Sequence, residues 1–300
     1  MHIAVLTGGS SSEREIALKS SQTVVAALRE RAEDQVDVFD FPNDIQKFLD
    51  ARSSVDIAAP VFHGRGGEDG DVQGFLKTLG IQFIFSDVEA HALAMDKPRT
   101  KVIVTAAGVT VPQGRMVRRG EVFVFEHPVV IKPPDAGSSV GVSIAHSQEE
   151  LDAALSKAFL TAEEMLVEDY VAGREFTVPV IEEGTSTIAL PVIQIISKNA
   201  FFDLESKYDP SLAEELCPAP IEDELAKRLQ ELAVKAHVAV SVRHVSRSDY
   251  IVDSAGKIWF LEINTIPGMT AQSLLPKALS VTGRTFGGVL RGWIDSILQT

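Results

Sequence analysis

The chain has 300 residues, of which 45% are hydrophobic, and it carries a formal net charge of −14 at pH 7. This length is sufficient for two or three domains with separate cores. The negative charge and the lack of a basic stripe argue against nucleic acids and anionic membranes as partners. The first residues have no signal-peptide pattern, and no apolar run approaches the roughly 20 residues that span a bilayer. A single cysteine, Cys217, excludes an intramolecular disulfide and fits a reducing compartment, so we expect a cytoplasmic protein.

Residues 1–86 have the pattern of an open α/β domain. Strands are predicted over residues 2–7, 36–41, 56–62 and 81–85, and helices over 12–31 and 72–79. Ligands in such domains bind at the carboxyl ends of the strands. Two glycine-rich loops follow strands here, at residues 8–12 and 63–70. Neither loop contains a dinucleotide-binding or Walker A motif, so neither of those functions is inferred from them.

Glu13 and His63, one near each loop, are candidate functional residues. Glu13 stands three residues after Ser10, and this spacing is also that of a helix-capping box. His63 lies where a predicted strand ends, a position at which its charge state would matter to a ligand. A single histidine is also commonly a hydrogen-bonded structural residue. The residues alone leave both alternatives open.

Residues 87–171 are predicted to form a second unit, with helices over 95–107 and 148–159 and strands over 129–132, 142–145 and 165–168. Lys132 lies near the end of its strand, and a loop of mostly small residues, 135–141, follows it. Small residues allow backbone N–H groups to close around an anion. The pattern therefore indicates a phosphate-binding loop, although a loop of this composition between two strands is also an ordinary hairpin.

Residues 172–300 are predicted to contain strands over 175–181 and 188–195 and helices over 222–240 and 286–298. Residues 203–220 have weak periodicity and are predicted to be a long loop that contains Lys207 and Tyr208. Loops of this length are usually functional or disordered.

A hairpin in this last unit has the pattern of a metal site. Strands are predicted over residues 250–253 and 257–264, joined by a turn at 254–256. A turn centred there places Asp249 opposite Glu262, and the alternation of side chains puts Asn264 on the same face as Glu262. Opposed carboxylates repel each other unless a cation lies between them, and three hard oxygen ligands suit Mg²⁺. A solvated polar face of a sheet would give the same pattern in this stretch.

Short motifs are distributed along almost the whole chain. In the first half they are Gly8-Gly-Ser-Ser-Ser-Glu13, His63-Gly-Arg-Gly-Gly-Glu-Asp-Gly70, Met95-Asp-Lys97, Ile131-Lys132-Pro133 and Gly137-Ser-Ser-Val-Gly141. In the second half they are Glu205-Ser-Lys207-Tyr208, Cys217-Pro-Ala219, Arg247-Ser-Asp249 and Leu261-Glu262-Ile-Asn264-Thr-Ile-Pro-Gly268-Met-Thr270. In order and spacing, the chain resembles the D-alanine–D-alanine ligases of the ATP-grasp superfamily.

The resemblance implies an α/β chain with α+β elements in the three-domain ATP-grasp architecture, with an N-terminal open Rossmann-like sheet. With the predicted elements, it gives domains at residues 1–86, 87–171 and 172–300. It implies ATP and two Mg²⁺ ions as cofactors, with Mn²⁺ as a substitute, D-alanine as the substrate, and a homodimer. The implied reaction joins two D-alanine molecules through an acylphosphate, for peptidoglycan precursor synthesis. The alternatives are an ATP-grasp ligase of other amino or hydroxy acids and a catalytically silent nucleotide-binding regulator.

The resemblance also implies roles for residues at matching positions. Glu13 holds the first ammonium and forms a hydrogen-bonded triad with Ser138 and Tyr208, and Arg247 stabilises the tetrahedral intermediate. The residues that contact the substrates are His63, Gly268, Ser273 and Leu274. Those that bind the nucleotide are Lys97, Lys132, Glu168, Val171, Glu175 and Lys207. The metal ligands are Asp249, Glu262 and Asn264, and Tyr208 favours an amine as the second substrate.

Overall fold

The computed structural model describes residues 1–135, 137, 141–197 and 213–299. Its first sheet is parallel, with β1 (His2–Gly8) between β2 (Gln35–Phe41) and β3 (Ile57–Pro60). Every residue of β1 is buried, as expected for a parallel strand that is covered on both faces. The helices of this unit are α1 (Arg14–Leu28), α2 (Ile45–Ala51) and α3 (Asp71–Thr78), with a 3₁₀ turn at Arg52–Ser54.

The predicted strand at residues 81–85 is reduced to an isolated bridge between Ala58 and Phe83. Phe85 has a positive φ of 72°, and its N–H donates to Nδ1 of His244 at 2.9 Å. The extended run therefore ends because of a contact with a residue far along the chain, and local periodicity carries no signal for such a contact.

The second sheet is antiparallel, in the order β4-β7-β5-β6. Its strands are β4 (Gly114–Arg118), β5 (Val129–Lys132), β6 (Ser143–Ala145) and β7 (Glu164–Asp169). Helix α6 (Gln148–Ala158) packs on it and buries Leu151 and Leu155. Sequence analysis does not predict β4, an edge strand whose buried residue is Val117, because it lacks an apolar alternation.

Helix α5 (Lys97–Ala106) corresponds to the helix predicted over residues 95–107, whereas helix α4 (Val88–Met95), which precedes it, is not among the predicted elements. Asp96 separates them with a ψ of 91° and accepts a hydrogen bond of 2.9 Å from the N–H of Arg99. This cap begins α5 anew, and a proline in the first turn is compatible with a helix start.

The third sheet runs in the order β11-β10-β8-β12-β13, with β9 paired to β8. Its strands are β8 (Gly173–Glu183), β9 (Ser186–Ala189), β10 (Ile193–Ser197), β11 (Ala213–Leu216), β12 (Val245–Asp253) and β13 (Ile258–Asn264). The single strand predicted over 188–195 is wrong, because Pro191 lies between β9 and β10 and has no N–H for a ladder. Strand β11 lies within the predicted loop 203–220, whose residues 203–212 fall outside the described residues. Helix α7 (Asp223–Ala239) packs on this sheet.

The first and third sheets share a hydrophobic core. Helix α9 (Phe286–Leu298) packs against α1, and its Trp293 belongs to the same buried cluster as Val5 of β1. Helix α8 (Leu274–Val281), which is not among the predicted elements, adds Leu275 to this cluster. The domain boundaries stay a prediction. Each helix in the described ranges is too short or too polar to cross a membrane.

The loop before β12 fastens the third sheet to the first. Arg243 donates hydrogen bonds to the carbonyl oxygens of Phe83 and Phe85 at 3.1 and 2.9 Å. His244 stacks on Trp293, with ring centroids 5.7 Å apart. These contacts fix the direction from which the chain enters β12, the strand that carries Arg247 and Asp249.

Candidate active site

The β12–β13 hairpin has the register that the sequence predicts. Asp249 is paired with Glu262 in the ladder, and Arg247 with Asn264. Because side chains alternate along β13, Glu262 and Asn264 lie on one face. The register shifts just after Asp249, and its buried carboxylate accepts a hydrogen bond of 2.5 Å from Oγ1 of Thr177 in β8. The predicted register of the hairpin is confirmed, and the convergence of the two carboxylates and the amide on a metal ion stays a prediction.

Each carboxylate of this pair has a cation beside it. Nε and Nη2 of Arg247 each lie 3.1 Å from an oxygen of Asp249, and Nζ of Lys97 lies 3.2 Å from Glu262. Burial acts to lower the pKa of Arg247, but the charges of Asp249 and Glu262 outweigh it and raise that pKa. The guanidinium therefore stays charged at every pH at which the protein is folded.

The oxygen atoms of Asp249, Glu262 and Asn264 form a donor set suited to Mg²⁺. Mg²⁺ prefers carboxylate and other oxygen ligands and keeps part of its shell for water and phosphate. In the ranges that the structure describes, no group of three or more His, Cys, Asp or Glu is arranged to hold a metal ion. The amide of Asn264 is the third oxygen ligand of the predicted set.

His63 is buried in the loop after β3. Its Nε2 lies 2.9 Å from Oγ of Ser20, and its carbonyl oxygen accepts a hydrogen bond of 2.6 Å from Oγ of Ser11. Burial, assisted by the positive charge of Arg247, lowers the pKa of His63 to about 4. The hydrogen bond to Ser20 agrees with the alternative that His63 is a hydrogen-bonded structural residue. The electrostatic effect of Arg247 on its pKa shows that the ring also lies near the hairpin. At pH 7 this imidazole is neutral and acts as a hydrogen-bonding group.

Glu68, which sequence analysis does not single out, is a second buried group of the same loop. Its Oε2 accepts a hydrogen bond of 2.7 Å from the N–H of Gly64. Burial and the neighbouring charge of Glu13 raise the pKa of Glu68 to about 8. A carboxyl group with this pKa is mainly protonated at pH 7 and can donate a hydrogen bond. The available signal was an acidic residue inside a glycine-rich loop that already contained a candidate histidine.

The carboxylate of Glu13 does not cap α1, so the capping alternative is wrong. Glu13 occupies the N-cap position without a side-chain hydrogen bond to the helix. A Cβ atom built on Gly64 or Gly137 would lie 2.9 or 3.1 Å from its Oε2. The carboxylate therefore lies between the glycine-rich loops of the first and second units, where larger residues would displace it.

Lysines from two elements meet at Glu168. The carboxylate is 3% exposed, and Nζ of Lys132 at the end of β5 lies 2.6 Å from its Oε2. Nζ of Lys101 from α5 contacts the other oxygen, Oε1. Sequence analysis does not predict Lys101, although its spacing of four residues from Lys97 on a helix was the available signal.

Helix α5 connects this cluster to the β12–β13 hairpin. Lys97 and Lys101 lie one turn apart, and the first contacts Glu262 while the second contacts Glu168. The two remaining described residues of the predicted nucleotide group follow β7, Val171 in the linker and Glu175 near the start of β8. The structure thus places four of the six predicted nucleotide residues on β5, β7, β8 and α5, and a fifth, Val171, in the linker between β7 and β8.

Gly268, Ser273 and Leu274 lie around the start of α8. Oγ of Ser273 accepts a hydrogen bond of 3.1 Å from the N–H of Thr270, and a Cβ atom on Gly268 would lie 2.9 Å from that oxygen. Leu274 is the first residue of α8, and free N–H groups at a helix start attract carboxylates. The N–H of Met269, between them, donates to Ser20 at 3.4 Å, which brings this segment near His63.

Three predicted site residues, Ser138, Lys207 and Tyr208, lie outside the described residues. Their roles stay predictions. Apart from Val171 and Glu175, the described members of the set lie in four places: the hairpin, the cluster at Glu168, the loops around Glu13 and His63, and the segment at the start of α8.

Comparisons of the sequence and of the structure with known proteins both find similarity to D-alanine–D-alanine ligases. Residues 102–295 match the family described as D-ala D-ala ligase C-terminus. A D-alanine–D-alanine ligase of Geobacter sulfurreducens is 43% identical over 95% of this chain and 90% of its own length. A structure of D-alanine–D-alanine ligase from Bacillus anthracis complexed with ATP matches with a TM-score of 0.85 at 28% identity, over 100% and 98% of the two chains. The VanG D-Ala:D-Ser ligase of Enterococcus faecalis matches with a TM-score of 0.82 at 30% identity, over 99% of each chain.

A chain of this fold, matched from end to end by ligases of known structure, is an ATP-grasp enzyme. The fold class expected from the sequence is thereby confirmed. Within that class, the chain belongs to the D-alanine–D-alanine ligase family, because relatives up to 43% identical cover it almost completely.

Proposed function

We propose that this protein joins two D-alanine molecules into D-alanyl-D-alanine and converts ATP into ADP and phosphate. The observation that carries the proposal is the register of β12 and β13, which pairs Asp249 with Glu262 and sets Arg247 beside them. Such an arrangement suits an enzyme that handles phosphate through a metal ion and a developing oxyanion through an arginine. The near full-length similarity to D-alanine–D-alanine ligases supports the same reaction.

In the first proposed step, a carboxylate oxygen of one D-alanine attacks the γ-phosphorus of ATP, and the bond to ADP breaks. The product is an acylphosphate, which is a far better acyl donor than the free carboxylate. Lys97, Lys132 and Lys207 offset the charge on the phosphoryl oxygens, since phosphoryl transfer depends mainly on positioning and charge stabilisation. Asp249, Glu262 and Asn264 would hold Mg²⁺, which offsets further phosphate charge when bound.

In the second proposed step, the deprotonated amine of the other D-alanine attacks the acyl carbon. Arg247 and the N–H of Gly268 donate hydrogen bonds to the oxyanion that develops, and the bond to phosphate then breaks. Ser273 and Leu274, at the start of α8, would bind the second carboxylate. Glu13 would hold the first ammonium, with Ser138 and Tyr208 completing its hydrogen bonds.

The resemblance also supports the remaining proposals. They are two metal ions for each active site, the division into domains at 1–86, 87–171 and 172–300, a homodimer, and a cytoplasmic location without nucleic-acid or membrane partners. Sedimentation at several protein concentrations tests the dimer, and a single monomeric species would contradict it.

Phosphate release is the test of the activity. Purified protein with ATP, Mg²⁺ and D-alanine should release phosphate and form the dipeptide, detected by mass spectrometry, whereas L-alanine should not replace D-alanine. Omission of ATP or Mg²⁺ is the matched control. ADP binding without phosphate release from any pair of substrates would favour the silent regulator instead.

The identity of the second substrate, the acceptor, has specific alternatives that can be tested. The structural similarity to a D-Ala:D-Ser ligase makes D-serine the acceptor to compare with D-alanine, together with D-lactate. Equal concentrations of D-alanine and each competitor should yield mainly D-alanyl-D-alanine. Predominance of a mixed product would replace the acceptor and retain the ligase class.

A further inference from the structure

The cluster of Lys101, Lys132 and Glu168 is buried and has an excess of positive charge. Side-chain exposure is 8% for Lys101, 11% for Lys132 and 3% for Glu168. The two oxygens of the carboxylate have different partners, because Lys132 contacts Oε2 and Lys101 contacts Oε1. One carboxylate therefore holds two cations, and either of them can leave without depriving it of a counter-ion.

The charges of the three groups depend on each other. Burial alone would raise the pKa of Glu168, but Lys132 and Lys101 outweigh it and lower that pKa overall. Burial lowers the pKa of Lys101 to about 7, and the charge of Lys132 acts in the same direction. Removal of the charge of Lys132 from this cluster, by a phosphate group that binds it, thus favours the protonated form of Lys101.

The two lysines are held on different supports. Lys132 ends β5, and the loop of small residues, 135–141, follows after two prolines, so Lys132 lies near the predicted phosphate-binding loop in the chain. Lys101 projects from the middle of α5, one turn after Lys97. The helix therefore holds Lys101 on an element separate from the sheet that carries Lys132 and Glu168.

The sheet also has room for the carboxylate. Gly114 of β4 is the cross-strand neighbour of Glu168. A Cβ atom on Gly114 would lie 2.6 Å from Cγ of Glu168, so any side chain at this position would push the carboxylate away from Lys101.

The geometry points to Lys101 as a positioning residue for nucleotide binding, which retains Glu168 in place while Lys132 exchanges that carboxylate for a phosphate of ATP. The inference rests on the proposed function, because it requires that Lys132 binds a phosphate of ATP and that Glu168 lies beside the adenine base. A buried carboxylate that loses its only counter-ion is strongly destabilised. With Lys101 present, Lys132 can move to the phosphate and Glu168 remains charged and oriented.

Substitution of Lys101 tests this inference. Lys101→Met should raise the Kd of ADP, measured by calorimetry with Mg²⁺, and the KM of ATP by at least tenfold. It should change kcat at saturating ATP and the KM of D-alanine by less than threefold, because Lys101 contacts neither the reacting atoms nor the amino acids. Lys101→Arg should restore ADP binding to within threefold of the unaltered protein, since it retains the charge.

The matched control is Arg99→Met, which removes an 80%-exposed cation two residues away on the same helix and should leave both constants unchanged. If Lys101→Met does not fold, Lys101→Gln provides the same test with an N–H donor and no charge. ADP binding by the uncharged variant within twofold of the unaltered protein would overturn the inference, as would an equal loss in Lys101→Arg. Failure of the unaltered protein to bind ADP would overturn the proposed function instead.

Discussion

Glu262 is one of the predicted metal ligands and also contacts Lys97 of α5. Its carboxylate pairs with Lys97 at 3.2 Å and lies opposite Asp249 in the ladder. The ion pair with Lys97 depends on the charge of Glu262, whereas its neighbours Leu261 and Ile263 face away from the site. Glu262 is therefore the residue at which the metal assignment can be tested with the smallest change in shape.

Substitution of a residue that hydrogen-bonds a metal ligand lowers metal affinity or activity by roughly 10- to 100-fold. We expect Glu262→Gln, which changes a predicted ligand itself, to lower turnover at limiting Mg²⁺ by at least as much. The amide is nearly isosteric but carries no charge to attract a cation, so added Mg²⁺ should recover part of the rate. A titration of phosphate release against Mg²⁺ measures this. Glu164→Gln, a surface carboxylate paired with Arg118, is the control, and a near-unaltered rate in Glu262→Gln at limiting Mg²⁺ would refute the metal assignment.

The residues that sequence analysis identifies differ from those it misses in the range of their contacts. Asp249 and Glu262 are joined by a short turn, so their opposition follows from counting residues along the hairpin. Lys101 and Glu168 are 67 residues apart, and the pairing depends on how α5 packs against the second sheet. The glycine-rich loop offers Glu68 only as one of two neighbouring acidic residues, and its burial beside Glu13 is what distinguishes it.

At the scale of elements, Gly114 shows how a strand is adapted to the site. It begins β4 opposite Glu168, and a Cβ atom there would lie 2.6 Å from both Cγ of Glu168 and the carbonyl oxygen of Val167. No side chain fits without displacement of the backbone of β7 or of the carboxylate that the two lysines share.

Gly114→Ala should therefore lower the free energy of unfolding by about 1–3 kcal/mol, as is usual for overpacking, and weaken ADP binding. Chemical denaturation and calorimetry measure the two effects. The control is Gly292→Ala in α9, where a Cβ atom meets no neighbour within 4 Å. Replacement of a helical glycine in open space by alanine should raise the free energy of unfolding by about 0.5–1 kcal/mol. The changes in stability of the two variants should therefore have opposite signs. Equal stability of both variants would contradict the steric argument.

Element boundaries were predictable where local chemistry sets them. The turn at 254–256 and the final helix over 286–298 agree with the structure because glycine and apolar periodicity act within a few residues. The start of α5 is set by a cap at Asp96, which is a local signal, whereas sequence analysis does not predict α4 before it. The loss of a strand at 81–85 depends on His244 and Arg243, and no local pattern near residue 85 contains that information.

At the scale of the whole molecule, His244 makes the stability of the contact between the first and third sheets depend on pH. Burial is the main cause that lowers the pKa of His244 to about 3, and the charges of Arg243 and His237 act in the same direction. The negative charge of Glu182 opposes them. The unfolded chain binds a proton here below the ordinary pKa of 6.5, whereas the folded protein does not until about pH 3. The contribution of His244 to stability therefore declines as the pH falls from about 6.5 towards 3.

We expect His244→Asn, whose side-chain oxygen can still accept the N–H of Phe85, to show a shallower acid loss of stability. The slope between pH 6 and pH 4 should decrease by about 1.4 kcal/mol per pH unit, the value for one proton. Glu68 acts in the opposite direction over part of this range, but it is common to both proteins and cancels in the difference. Urea unfolding at a series of pH values measures the slopes, and parallel curves would refute the assignment.

The buried lysines of this molecule lie in a chain whose formal net charge is −14. An incoming nucleotide is thus repelled at long range and attracted only when it is close to Lys97, Lys101 and Lys132. Added salt screens the distant repulsion, which acts through solvent, more strongly than the contacts with buried groups. The encounter rate of ATP with this enzyme should consequently rise with moderate ionic strength, the reverse of the dependence of proteins that steer anions with a basic surface.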